Sequence, residues 1–322
     1  MTTISQTLNN TATQLLLAGD VKQAEKKYRE AITNDEENVP AINNLGFLYA
    51  STGRPEKAMN CYRQALAIRQ DDDTVLHNMG NLYVSSGEPD KGMDAFQKAI
   101  EINPQNANVW DSIAKLYELT ANYELAVAAW QEVLKLDAGR REARYQLALV
   151  YSMQKKYQPA LALLHGLLQE DDNDIPVLTQ LGIIHLMKED YGSAAEYLKA
   201  VLGMEPENEN ARYHLALTKL LAGRKEEAML ELKRLLIFNP QHIKANTDLA
   251  VLLLSDGNPK EALSLLENAI AAGGEMKPLY YKGLILQMQQ KTKQAVTIMK
   301  QVAACDDLNY NSKAAKHLEE WG

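Results

Sequence analysis

Small and large apolar residues recur along this chain at a fixed step, with polar residues filling the intervals. Leu45-Gly46 and Met79-Gly80 stand 34 residues apart. Extending that step both ways gives a ladder of small residues: Ala12, Gly46, Gly80, Ala114, Ala148, Gly182, Ala216, Ala250 and Gly283. About twelve residues after each rung comes a second small residue: Ala24, Ala58, Gly92, Ala126, Ala160, Ala194, Ala228, Ala262 and Ala295. Ala and Gly together fill 57 of 322 positions, so chance does not explain eighteen filled rungs. Large residues keep the same register. Tyr49, Tyr83, Tyr117, Tyr151 and His185 follow the first rung by three, and Tyr28, Tyr62, Phe96 and Trp130 follow the second by four. The pattern predicts a two-helix unit in which a small residue on one helix admits a large residue from the other.

Turn residues agree with that unit. Gly53-Arg54-Pro55, Gly87-Glu88-Pro89 and Gly257-Asn258-Pro259 occupy one place in their repeats. Glycine closes the first helix in a left-handed cap, and proline opens the second helix, where its missing N–H costs nothing. Pro104, Pro206 and Pro240 close repeats, while Pro159 falls in a first helical turn and should not break it.

Trp110, Leu45-Gly46 and the Tyr, Ala and Phe positions that follow resemble the tetratricopeptide repeat (TPR) signature, W-x2-L-G-x2-Y, then A-x3-F, then P. The resemblance covers residues 5–309. It implies an all-α fold: a right-handed TPR superhelix, or α-solenoid, of antiparallel helix pairs whose stacking builds a continuous core and a concave groove. Nine repeats are expected at about 5–38, 39–72, 73–106, 107–140, 141–174, 175–208, 209–242, 243–275 and 276–309. The eighth is one residue short near Gly273-Gly274. Residues 310–322 read as a capping helix, with Ala314, Leu318 and Trp321 on one face.

Composition narrows the function. A formal net charge of −8 makes nucleic acid an unexpected partner, and the lack of a Lys/Arg block argues against direct membrane insertion or an anionic membrane surface. The opening Met1-Thr2-Thr3-Ile4 has no basic segment, and Leu15-Leu16-Leu17-Ala18 is too short to span a bilayer. The expected home is cytoplasmic. Cys61 and Cys305 have no metal or redox spacing and read as small apolar helical residues. No two of His77, His165, His185, His214, His242 and His317 stand at a ligand spacing, and His185 takes a core slot. No cofactor, metal or catalytic group is expected. The acidic runs Asp35-Glu36-Glu37, Asp71-Asp72-Asp73, Glu170-Asp171-Asp172 and Glu205-Glu207-Glu209 precede first helices, where acid complements the helix dipole. A docking edge for a basic partner is their alternative use.

In the TPR family the first helix of each repeat lines the groove. By that resemblance the lining here is Asn9, Asn10, Asn43, Asn44, His77, Asn78 and Asn81 in the first three repeats. Further on it is Tyr145, Leu149, Ile183, Met187, Tyr213, Leu217, Val251 and Tyr280. Asn10, Asn44 and Asn78 are similar to the Asn ladder of O-GlcNAc transferase TPR regions, where amides pair with the backbone of an extended peptide. The ladder then lapses at Ser112, Gln146, Gln180, His214 and Asp248. The cationic positions of chaperone-tail binders hold Gln6, Thr74 and Asn78, so a chaperone tail is not the implied ligand. The expected function is a non-enzymatic scaffold that binds a peptide or protein segment. A self-assembling structural protein (a homo-oligomer) and a targeting or adaptor subunit of a separate enzyme are the alternatives.

Overall fold

A computed structural model of the chain describes residues 3–305 and 307–321, the side chain of residue 308 excepted. Met1, Thr2 and Gly322, which entered the reading of the chain ends, lie outside the described residues. The described residues form nineteen helices and no strand, in two compact units of residues 1–163 and 164–322.

The first unit holds α1 (Ile4–Leu17), α2 (Val21–Asn34), α3 (Val39–Ser51), α4 (Pro55–Ile68), α5 (Asp73–Ser85), α6 (Pro89–Ile102), α7 (Ala107–Leu119), α8 (Tyr123–Leu136) and α9 (Arg141–Met153). The division falls within α10 (Tyr157–Glu170). The second unit continues with α11 (Ile175–Met187), α12 (Tyr191–Met204), α13 (Glu209–Leu221), α14 (Lys225–Phe238) and α15 (Ile243–Ser255). It ends with α16 (Pro259–Ala271), α17 (Met276–Met288), α18 (Thr292–Ala303) and α19 (Leu308–Trp321). Within each unit, consecutive helices pack as pairs. The residue missing from the period near Gly273-Gly274 follows α16, which has 13 residues where α12 and α14 have 14.

One turn geometry closes the odd-numbered helices from α1 to α17. After α3, the Gly53 N–H donates to Ala50 O and the Arg54 N–H to Tyr49 O, at 3.2 and 2.9 Å. These bonds satisfy carbonyls that the helix leaves orphaned. Gly53 sits there at φ +70°. The same left-handed position recurs at Gly19, Gly87, Ala121, Lys155, Glu189, Gly223, Gly257 and Gln290. Pro55, Pro89 and Pro259 each begin the following helix, as their spacing predicts. Several odd-numbered helices, though not α9 or α17, are opened by a capping side chain. Asp72 accepts from the Val75 N–H, Asp174 from Val177, Asn38 from Ala41 and Asn208 from Ala211. So the run at 71–73 supplies a cap, whereas beside Asp35-Glu36-Glu37 the capping residue is Asn38.

The small-residue ladder is a steric device. A methyl placed on Gly80 would stand 2.5 Å from Phe96 Cε1, and one on Gly182 would stand 2.7 Å from Leu198 Cγ. Helices of a pair approach that closely because the large residue fills the space a Cβ would need. Volume is balanced a second time between the residue three after the rung and the one twelve further on. Tyr117 goes with Ala129, His185 stacks on Tyr197 at 5.5 Å, and Lys219 pairs with Glu231. The Lys219 slot is thus the one among these that exchanges an apolar contact for a buried ion pair. Cys61 is buried, and burial pushes its thiol up to about 11. Cys305 departs from the helical expectation. It lies half-buried in the bend after α18, because that helix stops at Ala303.

Helix α19 packs its Ala314, Leu318 and Trp321 face with Met299 and Val302 of α18. Its Lys313, Lys316, Glu319 and Glu320 are exposed and form a polar outer face.

Candidate functional site

In the first unit, side chains on neighbouring odd-numbered helices bond to each other. Asn44 Nδ2 of α3 donates to Asn9 Oδ1 of α1 at 3.0 Å, and Asn78 Nδ2 of α5 donates to Asn43 Oδ1 of α3 at 2.9 Å. His77 Nε2 of α5 stands 2.8 Å from Ser112 Oγ of α7 and 3.1 Å from Asn81 Nδ2. Burial holds the His77 pKa below its usual value, against the opposing pull of Asp111 and Asp73. The three bonds share one spacing of 35 residues, from the fifth position of one repeat to the sixth of the next. Each Asn pair consumes one of its four amide N–H groups and one of its four carbonyl lone pairs, and leaves three of each.

Asn10 and Asn81 stand exposed on α1 and α5. Tyr145 and Leu149 are half-buried on α9, and burial, then Glu142, raises the Tyr145 hydroxyl pKa. Apart from the contact of Asn81 with His77, these residues make no direct bond to the Asn row among the described residues.

In the second unit, Ile183, Leu217 and Val251 take the same register position on α11, α13 and α15, all half-buried. Met187 is exposed at the end of α11. Tyr213 follows the 35-residue rule too: its hydroxyl donates to Asp248 Oδ2 at 2.7 Å. Lys277 Nζ donates to the other carboxylate oxygen at 2.6 Å. Burial pulls the Lys277 ammonium down, but Asp248 more than offsets this and leaves it raised. Burial and then Asp248 push the Tyr213 hydroxyl well up. This triad borders a cavity of about 750 Å³ that also reaches Lys244, Met276 and Tyr310.

Tyr280 is not an open lining residue. It is only 8 % exposed, because α19 covers it. Its hydroxyl meets His317 Nε2 at 3.1 Å, and its ring lies 5.5 Å from Tyr310. His214 turns Nδ1 to the Asn210 carbonyl of its own helix at 2.9 Å. Asp248, Lys277 and Tyr310 were not singled out as site residues from sequence. The signal for Asp248 was available, since it stands 35 residues after Tyr213. Among the described residues, no group of three His, Cys, Asp or Glu side chains is arranged to hold a metal ion, and no helix is long and apolar enough to cross a membrane.

Comparison with known families places tetratricopeptide repeats on residues 74–106, 112–175 and 185–252, and a TPR repeat on residues 48–87. The chain matches none of the curated protein sequences. Among solved structures it is similar to pilF of Pseudomonas aeruginosa, with 18% identity and a TM-score of 0.57 over 65% of this chain and 95% of that one. It is similar also to the Cut9-Hcn1 hetero-tetramer of the APC/C, with 15% identity and a TM-score of 0.55 over 88% of this chain and 56% of that one. At such identities the likeness is one of fold.

Proposed function

The chain belongs to the tetratricopeptide repeat family, and from that premise we propose that it is a non-enzymatic scaffold holding a segment of another polypeptide against its odd-numbered helices. We read the array as nine repeats over residues 5–309 with a cap at 310–322. The recurrence of the left-handed turn from Gly19 to Gln290 supports that partition.

The observation that carries the binding reading is the amide row of the first unit. Asn44–Asn9 and Asn78–Asn43 fix four amides on three successive odd-numbered helices, α1, α3 and α5. A pre-fixed amide loses little rotamer freedom when it pairs with a ligand backbone, so more of its bond energy appears as affinity. Such a surface suits an extended segment of any sequence. The second unit offers a different chemistry, half-buried Tyr213, Leu217, Ile183 and Val251 beside a charge-balanced triad, and suits apolar anchors. Free Cys61 and Cys305 thiols fit a reducing, cytoplasmic compartment.

The test is a selection from a display library of random peptides, followed by affinity measurement on the full chain. We expect the selected peptides to lose at least tenfold in affinity with Tyr213→Ala plus Leu217→Ala, and less with Asn44→Ala plus Asn78→Ala. An amide bond nets roughly 0.5–1.5 kcal/mol, whereas an aromatic anchor in a dry pocket carries about 2 kcal/mol or more. Peptides whose affinity ignores both pairs of substitutions would contradict the reading.

A further inference from the structure

In the first unit, Tyr49 and Tyr151 each take a hydrogen bond from the even-numbered helix before them. Arg29 Nη2 of α2 donates to the Tyr49 hydroxyl at 2.9 Å, and Gln131 Nε2 of α8 to the Tyr151 hydroxyl at 3.1 Å. Beside Tyr49 the arrangement also holds an acid. Glu25 Oε1 accepts from Arg29 at 2.9 Å and from the Tyr49 hydroxyl at 3.1 Å, and Glu25 Oε2 accepts from Arg54 Nη1 at 2.7 Å. Burial works against the Glu25 charge, yet Arg54, Tyr49 and Arg29 hold its carboxyl below the ordinary value.

Thirty-four residues on, the same four positions are Met59, Arg63, Tyr83 and Glu88. Arginine and tyrosine are kept, but the acid between them is a methionine. Among the described residues, neither the Arg63 guanidinium nor the Tyr83 hydroxyl has a hydrogen-bond or ion-pair partner. Both border an open cavity of about 800 Å³ with Met59 in its wall. Glu88, in the place of Arg54, pairs instead with Lys91 one turn further on. Glu56, also at the cavity, stands seven residues before Arg63 on α4, about 10.5 Å along the axis.

We infer that this cavity binds a carboxylate from outside the chain, seated on Arg63 and the Tyr83 hydroxyl as Glu25 is seated on Arg29 and Tyr49 one repeat earlier. A guanidinium offers a carboxylate two parallel N–H groups, and the phenol adds a third donor. The ligand class follows from charge. Lys91 is committed to Glu88, so Arg63 is the unpaired cation of the cavity and balances a single negative charge. Glu56 and Glu88 repel a doubly charged phosphate. Arg63 is exposed, so the attraction weakens with salt. No residue of the amide row borders this cavity, which makes it a second site beside the proposed peptide surface.

Nuclear magnetic resonance of the full chain labelled with 15N-arginine tests this, the Arg63 Nε–Hε signal being assigned by its loss in Arg63→Gln. The probes are sodium acetate and a capped glycine peptide with one central glutamate, at constant ionic strength. Inorganic phosphate and the peptide's glutamine counterpart are the controls. Both carboxylates should shift the Arg63 signal saturably, and neither control should bind as tightly. Tyr83→Phe should weaken binding at least threefold. Glu88→Gln, whose parent side chain makes no capping bond, should tighten it by a similar factor. Met59→Glu should place an acid in the seat and abolish the response. Its melting temperature relative to the wild type should fall as pH drops through the carboxylate range, the sign expected of an acid held as Glu25 is. Tighter binding of the peptide than of acetate assigns the seat to an acidic side chain of a polypeptide, and equal affinity assigns it to a small free acid. An Arg63 signal that ignores both carboxylates overturns the inference. So does phosphate that binds more tightly than acetate, or a folded Met59→Glu variant that responds as the wild type does. None of these outcomes touches the peptide-binding reading, which uses other residues.

Discussion

Ala121, Lys155, Glu189 and Gln290 hold a left-handed backbone that costs an L-residue with a side chain roughly 1–2 kcal/mol. Glycine escapes that cost but surrenders more freedom on folding. Lys155 is exposed and has nothing to lose in packing. Lys155→Gly should therefore raise the melting temperature by a few degrees, and Gly53→Ala, at φ +70°, should lower it. Thermal melts of the two variants check the pair. Glycines 53, 87 and 257 were legible because a proline follows two residues later. The turns at Ala121, Lys155 and Glu189 were not, because nothing in those residue types asks for positive φ, and only the period marks them. Gly80 belongs to the same scale. Gly80→Ala gains helix propensity, but its methyl would meet Phe96 at 2.5 Å and the Gly92 carbonyl at 3.1 Å. Overpacking should win, with a net loss of about 1–3 kcal/mol by denaturant titration. His77 adds a pH dependence. Its pKa is depressed in the fold, so the unfolded chain binds more protons below its ordinary value of 6.5. Stability should be full above that value and fall as pH drops through it, and His77→Gln should flatten that part of the curve.

Pairs of helices are where the sequence pattern breaks in an informative way. The slot that holds Tyr in α3, α5, α7 and α9 holds Lys219 in α13, 8% exposed. Its partner twelve residues on is Glu231, 3% exposed, which also takes Arg212 at 3.0 Å and Arg234 at 3.0 Å. Burial pushes the Glu231 carboxyl up, yet Lys219 and the two arginines hold it below its ordinary value. Such a group stabilises the fold above the unfolded pKa, and this contribution disappears as pH falls through the lower folded pKa. Removing Glu231 leaves both Lys219 and Arg212 without their carboxylate. Glu231→Leu alone should cost about 3–5 kcal/mol, while adding Lys219→Met should recover the share owed to the stranded lysine. A double-mutant cycle by chemical denaturation measures the coupling, and simple additivity would contradict the pairing. The small–large ladder was legible in sequence because both partners keep their class along the chain. Lys219 was not, since a lysine reads as solvent-facing until its carboxylate twelve residues away is considered with it. Helix α19 was legible from Ala314, Leu318 and Trp321. That it buries Tyr280 was not, because the period alone puts Tyr280 on an open face.

At the scale of the whole molecule, repetition makes the fold readable and the ligand obscure. Every repeat must satisfy the same packing, so the approximate copies average out local exceptions such as Lys219. The binding surface has no such redundancy. Asn10, Asn44 and Asn78 were read as amides free for a ligand, yet Asn44 and Asn78 are partly used by Asn9 and Asn43. Side-chain bonds across a 35-residue step depend on rotamers that the period does not encode. The central claim, that another polypeptide lies on the odd-numbered helices, is tested most directly by site-specific photocrosslinking in the native cell. A photoreactive residue replaces Asn44 on α3 or Leu217 on α13, and in parallel Gln64 on α4 or Lys199 on α12, both exposed on even-numbered helices. The account predicts that a shared partner is captured from positions 44 and 217 and not from 64 or 199. Capture from 64 and 199, with none from 44 and 217, would contradict it.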